Sequence, residues 1–312
     1  MATIPPYLKQ GDTLGIVCPA GYMLYEKAET CIRTLQEWGY KVKVGKTLGN
    51  QHNYFSGTDE ERLRDLQLML DDTDVKAILF GRGGYGLSRI IDEIDFNSFT
   101  QNPKWIIGFS DITLLHAHIS QQFKIATLHA PMAAAFNDGG FNNEYVQSLK
   151  KAFEGINYKY YSPTHSLNKI GQGYGELIGG NLSIIAHLIG SKSAYTNTKG
   201  KILFLEDVGE YLYNIDRLFI QLQRNGLLEE LSGLIIGGFT DLKDTIIPFG
   251  EDVYSIIKHH LKNYHYPVCF GFPVGHQTNN YALKVGAVHQ LNVAADKVEL
   301  LYGWQFTAEM AF

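Results

Sequence analysis

Cysteine is scarce in this chain: Cys18, Cys31 and Cys269 are the only three in 312 residues, far apart and odd in number. Each sits in an apolar or helical setting, so buried free thiols are expected rather than a disulfide framework, and no CxxC spacing marks a metal site. An excess of one charge is missing too. Lys and Arg total 27 against 32 Asp and Glu, a net charge of −5 with no long run of either sign, which argues against nucleic acid as a partner. No apolar run approaches the length of a membrane span, and the opening "MATIPPYLKQGD" has no basic segment leading into an apolar stretch. A cytoplasmic protein is expected. Repeats and low-complexity tracts are also lacking, whereas the 45% hydrophobic content is that of a folded chain with a sizeable core.

What is present is an alternating pattern. Strand-like runs ("TLGIVCPA", "KVKVG", "VKAILFG", "KWIIGF", "KIATLHAPM") are separated by helical ones ("YEKAETCIRTLQEWG", "DEERLRDLQLMLDD", "GLSRIIDEI" and the segments after Ser110 and Asn142). This rhythm predicts an α/β domain over residues 1–155, with a parallel sheet covered on both faces and ligands bound beyond the carboxyl ends of the strands. Residues 156–172 lack a clear period, hold Pro163 and read as a linker. From 173 to 312 the rhythm changes: buried strands at "KILFLEDV" and "LSGLIIGGF", helices at "NIDRLFIQLQRNG" and "EDVYSIIKHHLKNY", then hairpin-like alternation to the end.

The stretch "WIIGFSDITLLHAH" changes from strand to helix character within a few residues, which puts Ser110 on a short turn at a strand's carboxyl end. There Ser110 or Asp111 serves as an N-cap, or Ser110 is a nucleophile on a tight elbow beside free N–H groups. The usual elbow is G-x-S-x-G, and here Ile112 holds the last glycine's place. A serine nucleophile needs a base and the base an acid. His276, in "FPVGHQTNN", follows an apolar strand in a polar loop. His129, before Pro131, is its main rival. His116 and His118 point to different helix faces, and His259 and His260 lie on a solvated helix. Glu206 stands where the strand "KILFL" would emerge, with Asp207 and Glu210 as alternatives or as caps of the next helix. The turn "GRGGYG" lacks the Lys-Ser/Thr of a P-loop and could instead give a backbone N–H to an oxyanion, alongside that of Asp111.

Taken together and in this order, "GRGGYG", "IGFSD", "GGNLS", "LFLEDVGE…IDR" and "GFPVGH" closely resemble the LD-carboxypeptidase family of serine peptidases, across nearly the whole chain. The resemblance implies a flavodoxin-like first domain and a smaller, β-rich, barrel-like second one. It further implies Ser110 as nucleophile, Glu206 as orienting acid, His276 as base, and the N–H groups of Gly84 and Asp111 as the oxyanion hole. Neither metal nor cofactor is expected. The implied substrate is a muropeptide, a cell-wall tetrapeptide losing its terminal D-Ala in cytoplasmic peptidoglycan recycling, and a homodimer is the family's common state.

A carboxypeptidase must hold a free carboxylate, for which a bidentate arginine suits. Arg82, beside the glycine turn, is the first candidate, ahead of Arg89 and Arg217. Tyr85 in that turn and Asn181 in "GGNLS" are further substrate-binding candidates, although Asn181 also suits an N-cap. The family's microcin C immunity branch, which cleaves aminoacyl-nucleotide amides, is the alternative. It resembles this chain less, because the connecting stretch here is short and holds Tyr160 and Tyr161 but no tryptophan. A non-catalytic muropeptide sensor would have lost Ser110, Glu206 or His276. A nucleotide-binding protein would carry a phosphate fingerprint where "CPAGYM" stands.

Overall fold

Apolar runs with no polar alternation fill the centre of the first half, as strands covered on both faces require. The computed structural model describes residues 2–303. In it β1 (Thr13–Val17), β2 (Lys41–Val44), β3 (Val75–Phe80), β4 (Trp105–Gly108) and β5 (Thr127–His129) form a parallel sheet in the order β2-β1-β3-β4-β5. Around it pack α1 (Glu29–Glu37), α2 (Asp59–Asp71), α3 (Asn97–Gln101), α4 (Thr113–Phe123) and α5 (Glu144–Phe153). Local chemistry sets several helix starts. Thr58 and Glu61 form a capping box on α2, and Asn143 accepts from Tyr145 and Val146 to cap α5.

The second lobe holds β6 (Tyr158–Ser162), β7 (Gly171–Asn181), β8 (Ile202–Val208), β9 (Gly233–Thr240), β10 (Val268–Phe270), β12 (Val288–Val293) and β13 (Val298–Tyr302). They make a mixed sheet in the linear order β10-β9-β8-β7-β12-β13-β6. Its helices are α6 (Leu182–His187), α7 (Leu212–Arg224) and α8 (Val253–His260). The architecture is therefore α/β with two sheets. One strand crosses between them: β11 (Leu283–Val285), from the C-terminal half, pairs antiparallel with β5 and completes the first sheet.

Two sequence expectations differ from what is observed. The stretch 156–172, read as a linker, contains β6, where Tyr158 and Tyr160 turn inward and Tyr161 outward in strand alternation. The segment "GLSRIIDEI" forms two 3-10 turns, Leu87–Arg89 and Ile91–Glu93, not one helix. Ile90 between them has φ −124°, outside the helical range, and the β-branched pair Ile90-Ile91 buries itself in the core instead. The C-terminal residues 304–312 of the expected second domain lie outside the described residues.

The arrangement brings two sets of strand ends together. At the carboxyl end of β5, His129 packs edge-on against Phe204 of β8, with ring centroids 5.0 Å apart. Thr113 at the start of α4 accepts from the backbone N–H of Asn181 at the end of β7, at 3.1 Å.

Candidate active site

Ser110 follows β4 after one extended residue, Phe109, and has φ +64°, a left-handed backbone that is uncommon outside glycine. A 3-10 turn, Ser110–Ile112, then feeds α4. The sequence left a helix cap open as the meaning of this turn. Neither the turn nor α4 has a side-chain cap, and the Ser110 hydroxyl has no hydrogen-bond partner among the described residues. Asp111 is engaged elsewhere: its buried carboxylate accepts from the Leu87 N–H at 2.9 Å. Burial pushes the Asp111 carboxyl up to about 6, against the pull of the Leu87 and Gly86 amides and of Arg62.

The glycine turn packs directly on this serine. A Cβ on Gly83 would lie 2.8 Å from Ser110 Cβ and 3.3 Å from the Asp111 nitrogen. The carbonyl of Gly83 accepts from the Gly21 N–H at 3.0 Å, and because the peptide is planar and trans, the N–H of Gly84 points the opposite way. Arg82 is exposed and donates one Nη1 hydrogen bond to the Tyr22 carbonyl at 2.7 Å. Tyr85 is half-exposed and its ring leans on Phe55.

The acid and the histidine come from the second lobe. β8 and β9 lose register at Glu206, so that Leu205 faces Ile236 while Asp207 faces Phe239. Such a bulge re-aims a side chain. The Glu206 carboxylate is fully buried, and its Oε2 accepts from His276 Nδ1 at 2.6 Å. His276 sits in the loop after β10, which is closed by the Gly275 N–H donating to Asn280 Oδ1 at 2.9 Å. Burial alone would lower the His276 pKa, but the Glu206 charge and hydrogen bond, with Asp207 and Asp241 further out, hold it above the ordinary value. The imidazole packs edge-on against Phe109 with ring centroids 4.8 Å apart, which brings His276 beside the residue preceding Ser110. A cavity of about 450 Å³ opens here, lined in part by Phe109, Pro131, Val208, Asp241, His276 and Asn280.

Asn181 caps α6 by accepting from the Ile184 N–H, and its amide donates to Asp207 at 2.9 Å. Asp207 also takes both the hydroxyl and the N–H of Ser183, and its carboxyl is pushed to about 6 by burial and by the neighbouring Glu206, against those hydrogen bonds. Glu210 receives hydrogen bonds from Ser183 and Asn214. Among the other histidines, His129 is fully buried between Phe109 and Phe204, and desolvation drives its pKa well below the usual value. His116 donates to the Gly108 carbonyl, and His259 and His260 pair with Glu251 and Asp216. Arg89 is paired with Asp59, and Arg217 lies over the ring of Tyr213. Sequence reasoning missed Gly83 and Gly275. Both stand inside motifs it quoted, but which glycine of a turn faces the serine is set by the turn's geometry.

Comparison with known proteins agrees with this organisation. Residues 14–130 match the LD-carboxypeptidase N-terminal domain and residues 174–291 the LD-carboxypeptidase C-terminal domain. A probable murein peptide carboxypeptidase of Bacillus subtilis is 35% identical over 93% of this chain and 92% of its own. The microcin C7 self-immunity protein of Escherichia coli is 27% identical over 89% and 90%. The crystal structure of muramoyltetrapeptide carboxypeptidase from Oxalobacter formigenes superposes with a TM-score of 0.84 at 26% identity, covering 94% of this chain and all of that one. With two matched domains and a 35% identical relative spanning almost its whole length, this chain belongs to the LD-carboxypeptidase family.

Proposed function

We propose that the protein is a serine LD-carboxypeptidase that removes the terminal D-Ala from murein tetrapeptides in cytoplasmic peptidoglycan recycling. The observation that carries this reading is the 2.6 Å His276–Glu206 hydrogen bond set beside an uncapped, left-handed Ser110. His276, oriented through Nδ1 by Glu206, takes the Ser110 proton through Nε2 as Oγ attacks the carbonyl preceding the terminal D-residue. The negative oxygen that develops is received by the N–H groups of Gly84 and Asp111, neither of which another backbone group occupies among the described residues. The imidazolium then protonates the leaving amine, and water, deprotonated by the same histidine, releases the peptide from the serine.

The raised pKa of His276 fits this cycle, because the Glu206 charge stabilises the imidazolium that forms in it. Arg82 keeps guanidinium donors free beyond its bond to Tyr22, which supports it as the group that holds the substrate's carboxylate. Tyr85 stands half-exposed beside it as a second contact. Asn181, with its amide committed to α6 and Asp207, supports the site by fixing the end of β7. The parallel order β2-β1-β3-β4-β5 supports a flavodoxin-like first domain, and the antiparallel run β7-β12-β13-β6 is the part that a barrel-like second domain would use.

The deciding experiment is mass-spectrometric detection of D-Ala released from a muramyl tetrapeptide by chelator-treated wild type and Ser110→Ala. Release by the wild type alone is expected. Release that survives Ser110→Ala would remove the nucleophile. Hydrolysis of an aminoacyl-sulfamoyl nucleoside but not of the tetrapeptide would move the protein to the microcin immunity branch.

A further inference from the structure

Lys284, on β11, is a fully buried lysine whose side-chain nitrogen has no hydrogen-bond partner among the described residues, and burial lowers its pKa from 10.5 to about 7, so the cation that the surrounding rings attract is present below that pH. Its nitrogen lies 3.9 Å from the ring centre of Tyr302, 5.2 Å from that of Tyr158 and 5.4 Å from that of Tyr7. These rings come from three separate pieces of chain: the segment before β1, β6 and β13. A cation over an aromatic ring is attracted by the ring's quadrupole, more strongly when the cation is desolvated. An apolar side chain would fill the space without the cost of burying a cation, but it would exert no pull on three aromatic faces.

The cage is tied to the catalytic loop by a continuous path. The hydroxyls of Tyr7 and Tyr302 hydrogen-bond to each other at 2.8 Å, and Tyr158 accepts from the Lys284 N–H at 3.2 Å. Tyr158 stacks with both Tyr302 and Tyr160, and Tyr160 stacks on Tyr281 with centroids 4.1 Å apart. Tyr281 follows Asn280, which closes the His276 loop through Gly275. Between Tyr281 and Lys284, Ala282 donates to Ser148 of α5 and accepts from Tyr160, and Leu283 lies opposite His129 in the first sheet.

We propose that Lys284 is a positioning residue for His276: gripped by Tyr7, Tyr158 and Tyr302, it pins β11 at the seam of the two lobes and thereby fixes the loop Gly275–Asn280 against Phe109 and Ser110. The inference rests on the reading of His276 as the base. It extends that reading by placing the control of the base's position in a cage outside the reacting groups.

The test uses Lys284→Met, which keeps length and volume and removes the charge, with Tyr7→Leu as a second variant because Tyr7 is partly exposed and leucine keeps an apolar group against Trp105. The His276 ring is titrated by NMR in each, and kcat and KM are measured for D-Ala release. The expected result is a His276 titration midpoint that falls back toward the ordinary value as the Glu206 contact loosens. With it, kcat should drop about tenfold while KM stays within about twofold, the signature of a displaced catalytic group. If Lys284→Met does not fold, the same comparison is made on Tyr7→Leu. An unchanged His276 titration in a folded variant overturns the proposal. A wild type that releases no D-Ala overturns the carboxypeptidase reading alone, since the titration still decides the positioning.

Discussion

A methyl group on Gly275 would lie 2.6 Å from both Cβ and Oε2 of Glu206. The loop bearing His276 therefore passes over the acid with no space for any side chain, and it does so at φ +107°, where an L-residue is strained. This approach is what lets the imidazole and the Gly275–His276 backbone sit on the carboxylate together: the His276 N–H lies 3.3 Å from Glu206 Oε2.

Gly275→Ala is accordingly expected to retain the fold, to lose roughly 1–3 kcal/mol of stability through backbone strain, and to lose most of its activity because the acid–base pair must separate. Denaturant unfolding and kcat on the tetrapeptide, measured on one preparation, check both parts. Full activity in a folded Gly275→Ala would mean that the loop adjusts without moving His276.

Glu206→Gln keeps the shape and removes the charge. With neutral His276 as the proposed base, activity should rise with pH through the histidine's pKa, which in the wild type is held above its ordinary value. Without the Glu206 charge, burial dominates and the pKa falls, so the rising limb of kcat/KM should move to lower pH. At its plateau kcat should be reduced by roughly 10²–10⁴-fold, as for loss of the orienting carboxylate in other triads. A limb that stays in place would separate His276 from the titration that governs turnover.

The buried carboxylates of Asp111 and Asp207 predict an unusual pH dependence of stability. Each is raised from 3.8 to about 6 in the folded protein, so between about pH 4 and 6 the folded state binds more protons than the unfolded one. The sign is then fixed: this contribution to stability falls as pH rises through that window. Asp111→Asn should make the slope of unfolding free energy against pH more positive over the same range than in the wild type. Parallel slopes would mean that the Asp111 carboxylate is not desolvated.

Much of this was legible in the sequence because the site is built at strand ends. Ser110 and Glu206 each follow an apolar run that could only be a buried strand, and the motif around His276 names its loop. What was not legible depends on distant partners. β11 is three residues long, and nothing near Leu283 says that it will pair with β5, over 150 positions earlier. β6 hid in a stretch without period because its Tyr pairs are read as strand only once β13 lies beside them. Lys284 gave no signal at all, since a lysine in a short alternating run reads as solvent-facing until three tyrosines from elsewhere enclose it.

Gly83 offers the sharpest test of the elbow. A Cβ there meets Ser110 Cβ at 2.8 Å, Ser110 Oγ at 3.1 Å and the Asp111 nitrogen at 3.3 Å, so the collision is not with a flexible side-chain end. The turn cannot retreat freely either, because the Gly83 carbonyl is held by Gly21. Gly83→Ala should therefore push Ser110 and displace the Gly84 N–H together. Loss of one oxyanion donor alone costs about 10²–10³ in kcat, so a fall of at least that size is expected, with KM little changed if Arg82 still holds the substrate. Labelling of Ser110 by a fluorophosphonate, followed by intact mass, separates the two effects. Slower labelling in Gly83→Ala would assign the loss to the serine–oxyanion unit, whereas wild-type labelling with lost D-Ala release would place the damage in substrate binding and argue against the glycine turn as part of the oxyanion site.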